Sequence, residues 1–143
     1  MRRMHRSRLY GVFIDTPLAE ASRAIDFWGA ALGVTPSRMA SDHAFTALPG
    51  VAGDLVLEVQ SVDDSPRYHV DIETDDVAAE TERLIGLGAS VVTRYDGWVV
   101  LRAPGGHLLC AVPVQSDPEF FVAHAQTWPT GTVAPTGTVA SGT

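Results

Sequence analysis

Four residues of one short strand recur 58 positions later in the same order: Tyr10, Val12, Ile14 and Thr16 return as Tyr68, Val70, Ile72 and Thr74. An ordered match at one offset implies two copies of a single supersecondary unit, stacked because neither copy buries its apolar face alone. Each copy opens with alternating side chains, "YGVFIDT" and "YHVDIET", and then changes to a helical period. Leu18, Ala21, Ile25, Trp28 and Leu32 form the first helical stripe, and Val77, Thr81, Leu84 and Gly88 the second. Thr16-Pro17 predicts a hydroxyl cap ahead of a first-turn proline, and Asp75-Asp76 places negative charge at the second helix start. Gly33 and Gly88 stand where a helix end calls for positive φ. Three short strands follow each helix, at about 36–39, 43–48 and 54–60 and at about 90–94, 97–102 and 107–112. The predicted fold is α+β: two βαβββ modules forming a curved mixed sheet that lines a cleft, with the helices outside. The modules span about 9–62 and 67–113 of one domain, 9–113.

The ends read differently. The basic opening "MRRMHRSR" has no apolar segment behind it long enough for a signal peptide, so residues 1–8 are expected to be a frayed, flexible terminus. Residues 114–128 form a C-terminal extension, in which "DPEFFVAHAQTW" predicts a short helix after Pro118 with Phe121 and Ala125 on one face. The uncharged, repetitive tail at 129–143 is expected to be disordered.

Charge and composition narrow the function. Ten Lys and Arg against seventeen Asp and Glu give a formal net charge of −7, which opposes binding to phosphate backbones, so no nucleic-acid partner is expected. No apolar run approaches the ~18 residues of a membrane span, and no membrane partner is expected. A single cysteine, Cys110, leaves no internal disulfide and fits a reducing cytoplasm. There is no strand–Ser–helix elbow for a nucleophile, and "PGVAG" and "PGG" lack the Lys and Ser/Thr of a phosphate loop. A small organic molecule is the partner that remains.

"YHVDIETDDVAAETERLIGLGA", "GWVVLRAPGGHLLCAV" and the helix end "IDFWGAALGV" together resemble the vicinal oxygen chelate superfamily, in its glyoxalase-like and bleomycin-resistance-like branch, over about residues 9–113. The resemblance implies a paired-module fold, often dimeric, that hosts lyases, isomerases, epimerases, extradiol dioxygenases and metal-free antibiotic-sequestering proteins. Its metal-dependent members draw ligands from the first and last strand of each module. Carried over, those positions fall on Gly11, Glu58, His69 and Cys110, with Gln60 on the same face as Glu58. Glycine donates nothing, and a cysteine is not the family's carboxylate. The expected site is therefore degenerate and metal-free, with His69 and Glu58 as acid–base groups and Phe13, Gln60, Asp71, Trp98, Arg102 and His107 as ligand-binding residues. The alternative is a divalent-metal lyase, isomerase or dioxygenase holding Zn, Fe, Mn or Ni through His69, Glu58 and Cys110. The corresponding expectation is a cytoplasmic small-molecule-binding protein, with a homodimer open.

Overall fold

The computed structural model describes residues 3–131. Strand β1 (Met4–Pro17) leads through a 3₁₀ turn, Leu18–Glu20, into α1 (Ala21–Leu32), followed by β2 (Ser37–Arg38), β3 (Phe45–Ala47) and β4 (Val56–Val62). The order then repeats: β5 (Arg67–Thr74), α2 (Val77–Gly86), β6 (Ser90–Tyr95), β7 (Trp98–Arg102) and β8 (Leu108–Pro113). A short helix α3 (Pro118–His124) and a strand β9 (Gln126–Pro129) complete the described chain. The fold is α+β with βαβββ twice, as the repeat predicts. No described helix is long and apolar enough to cross a membrane.

Two compact units emerge: Tyr10–Asp71, and the described residues up to Leu9 together with those from Ile72 onward. Strands β1 and β5 each contribute to both.

In the Tyr10–Asp71 unit the strand order is β2-β3-β4-β1. Strands β1 and β4 run parallel, joined by the α1 crossover, in the register Gly11↔Val56, Phe13↔Glu58 and Asp15↔Gln60. Strand β3 lies antiparallel on β4, with Phe45 opposite Gln60 and Ala47 opposite Glu58. Alternation separates two faces. Ile14 and Val59 join Leu48 in a buried core against which Ile25 and Trp28 of the predicted stripe pack. Phe13, Asp15 and Glu58 are on the other face and are also buried. α1 ends as predicted, with Gly33 in the left-handed region at φ 71°. Its start differs. Pro17 belongs to β1 and no side chain caps the turn, because the Thr16 hydroxyl donates instead to Ile14 O at 3.2 Å.

In the other unit β8, β7 and β6 pair antiparallel, with Val99↔Ala111 and Leu101↔Leu109 buried. The second helix start is as predicted: Asp76 Oδ1 accepts from Ala79 N at 3.0 Å.

Both chain ends correct the sequence reading. Residues 4–8, expected to fray, are strand, with His5 and Ser7 buried. The reason is a partner. β9 pairs antiparallel with Met4–Ser7, and residues 126–128, expected to be helical, are extended to make that pairing. The pairing is reinforced by buried polar contacts: His5 Nε2 meets Glu80 at 2.8 Å, Arg83 donates twice to Glu80 at 2.8 Å, and Arg83 lies 3.9 Å over the Trp128 ring. Trp128 Nε1 donates to Ser7 at 2.9 Å. Of the tail expected to be disordered, residues 132–143 lie outside the described residues.

Candidate functional site

The opposite face of the Tyr10–Asp71 unit is where the sequence-predicted side chains meet. Strand β5 brings His69 over β1, where its ring stacks on Phe13 with centroids 4.9 Å apart and planes within 8°. Phe45 meets Phe13 edge-on at 6.0 Å, with Phe13 itself buried. His69 Nδ1 donates to Asp15 Oδ2 at 2.7 Å, and Nε2 lies 3.3 Å from Asp71 Oδ1. Arg67 Nε also donates to Asp15 Oδ2, at 3.1 Å, while its Nη1 reaches Asp64 at 2.6 Å.

The electrostatics follow from this arrangement. Burial alone would lower the His69 pKa, but the hydrogen bond to Asp15 and the contact with Asp71 outweigh it and raise the value to about 9. At neutral pH His69 is an imidazolium between two carboxylates. Glu58 moves the other way: burial first, and the charge of Asp71 second, push its carboxyl above the ordinary range. Two acceptors are left over. Among the described residues, Asp15 Oδ1 and Asp71 Oδ1 are buried with no hydrogen-bond donor, the Nε2 contact at Asp71 falling short of bonding geometry. Asp15 has 1% of its side chain exposed and Asp71 14%.

Of the predicted residues, Phe13, Glu58, Gln60, His69 and Asp71 lie in this unit, together on one face by strand register and contact. Trp98, Arg102, His107 and Cys110 lie in the other unit. There Trp98 stacks on Tyr95 at 4.3 Å, Arg102 donates to Gly106 O at 2.7 Å, His107 is exposed and Cys110 is buried in β8. The residue that sequence reasoning passed over is Asp15. Its signal was in the repeat: the offset that aligns Ile14 with Ile72 aligns Asp15 with Glu73, and both are buried carboxylates held by an arginine.

Comparison with known proteins settles the family. The sequence model described as "Glyoxalase-like domain" matches residues 11–112, which is most of the chain. The chain belongs to the glyoxalase-like domain family of the vicinal oxygen chelate superfamily. Among solved structures, this glyoxalase-like chain is similar to methylmalonyl-CoA epimerase from Mycobacterium tuberculosis, at 18% identity and a TM-score of 0.47, covering 78% of this chain and 89% of the epimerase chain. No curated protein matches.

The family's metal positions can be tested on the side chains. A Cβ at Gly11 would lie 2.2 Å from Val56 Cγ2 and 2.7 Å from Val56 O, so β4 fills the space a ligand there would need. In this glyoxalase-like domain the family's position 11 therefore supplies no ligand, while His69 and Glu58 stand at two of the other family positions.

Proposed function

We propose that this chain binds a small organic molecule, without a metal, on the face formed by Phe13, Phe45, His69 and Asp71, and that it sequesters the molecule or performs modest acid–base chemistry on it. The observation that carries this reading is the clamping of His69: stacked on Phe13 at 4.9 Å, bonded to Asp15 at 2.7 Å and facing Asp71 at 3.3 Å. A ring fixed on three sides presents one orientation to a ligand, and Nε2–H, which makes no hydrogen bond to Asp71, is the donor or general acid it offers at neutral pH. Asp15 is then a positioning residue. Glu58, whose carboxyl burial pushes above the ordinary range, is a second acid–base group on the same face.

A second reading rests on the same pair. Asp15 behind Nδ1 is the support that metal-ligating histidines usually have, and Nε2 and Asp71 Oδ1 converge at 3.3 Å. A divalent ion displacing the His69 proton would make this a metal-dependent enzyme.

Metal analysis of tag-free protein, followed by a thermal-shift screen of small molecules in chelator, separates the two. The metal-free reading expects substoichiometric metal, and ligands that raise Tm in the wild type but not in His69→Gln. Near-stoichiometric metal, with a His69-dependent rise in Tm on adding Zn²⁺, Mn²⁺, Fe²⁺ or Ni²⁺, replaces it with the second reading.

A further inference from the structure

A buried carboxylate oxygen without a donor is costly, and native structures leave few such atoms unexplained. This unit has two on one small face, Asp15 Oδ1 and Asp71 Oδ1. Nearby cations are already engaged: His69 has Nδ1 on Asp15 and Nε2 facing Asp71, and Arg67 is drawn to Asp15 and Asp64. Asp15, Asp64 and Asp71 share Arg67 and His69 between them, and Glu58 lies on the same face. The face therefore lacks donors for its carboxylates. Beside it, the half-buried Phe45 ring, edge-on to the buried Phe13, supplies flat apolar area. The net charge of −7 across the whole chain favours approach of a positively charged ligand.

We propose that the ligand of this face is a small organic cation with N–H donors on a flat apolar body, an arylamidine or aromatic amine, and that anions are rejected. The N–H groups satisfy Asp71 Oδ1 and Asp15 Oδ1, and the ring lies along Phe45. The inference rests on the small-molecule reading above and specifies the chemistry of that site.

The test is calorimetric titration of the full chain in chelator with three probes of one shape: benzamidine, neutral benzamide and anionic benzoate. Benzamidine is expected to bind about tenfold or more tightly than benzamide, as hydrogen bonds to a charged acceptor imply, and benzoate to give no heat. Asp71→Asn is expected to weaken benzamidine by about tenfold and leave benzamide unchanged. The comparison of probes on wild type decides the charge class even where the variant folds poorly. Benzoate equal to or tighter than benzamidine, absent benzamidine binding, or benzamidine affinity indifferent to a folded Asp71→Asn overturns the inference. Benzoate binding that disappears in His69→Gln overturns it while upholding the small-molecule site. Silence from all three probes, together with a ligand screen that moves no Tm, removes both.

Discussion

His69 and Glu58 share a face and respond oppositely to pH. Burial lowers the His69 pKa, but Asp15 and Asp71 outweigh it and carry it from 6.5 to about 9. A base whose folded pKa is raised stabilises the fold fully below its unfolded value and loses that contribution as pH rises through the folded one. Stability should therefore fall between about pH 6.5 and pH 9, and thermal melts of His69→Gln across that window should be flat by comparison. Glu58 is an acid with a raised pKa, first through burial and then through Asp71, so its ionisation above 4.5 costs stability. Glu58→Gln should raise Tm at pH 7, and the gain should disappear as the pH is lowered below 4.5. Sequence alternation alone placed His69, Asp71 and Glu58 on polar faces. It did not reveal which carboxylate grips the imidazole, because Asp15 and His69 are 54 residues apart and meet only through strand pairing.

At the level of elements, periodicity located both long helices and all three strands after each, since a half-buried strand and a one-faced helix leave different spacings. The capping outcome differed between the two helices for a local reason. Asp76 is extended and reaches Ala79 N, whereas the chain at Thr16 is still paired in β1 and its hydroxyl turns back to Ile14. Asp76→Ala should cost about 1 kcal/mol in chemical denaturation, while Thr16→Ala should lose no cap contribution. Gly11→Ala is the sharper test of the β1–β4 pairing. The added methyl meets both Val56 Cγ2 and the Val56 carbonyl, and overpacking of this kind costs about 1–3 kcal/mol or more. Strand β9 was misread as helix because its reason for being extended lies more than a hundred residues away, on Met4–Ser7.

The molecule as a whole depends on its first residues. Arg8 donates to Glu73 at 2.6 Å, Ser116 and Gln115 add further bonds to that carboxylate, and His5 meets Glu80 at 2.8 Å. Burial pushes both carboxyls up, but their partners outweigh it and hold them below the ordinary range. Removing residues 2–9 strips Arg8 and His5 from two fully buried carboxylates. Loss of one partner of a buried pair costs about 3–5 kcal/mol. The truncated chain should melt well below wild type at neutral pH, with the deficit shrinking as pH falls below 4.5, where the carboxylates take up protons. Hydrogen exchange should show α2 and β9 losing protection ahead of β3 and β4. A basic octapeptide gave no local hint of this, because its partners are supplied by distant segments.

The contact between Gly11 and Val56 also bears on what this sequence can become. A histidine at position 11 would strike a backbone carbonyl 2.7 Å away as well as the valine side chain, so trimming Val56 does not make room for it. Regaining a fourth family ligand requires β4 to shift relative to β1, a change no single codon encodes. Laboratory selection for metal-dependent activity would have to travel through poorly folding intermediates at this position, whereas selection for new ligands at Phe45, Gln60 and Asp71 meets no such barrier in sequence space.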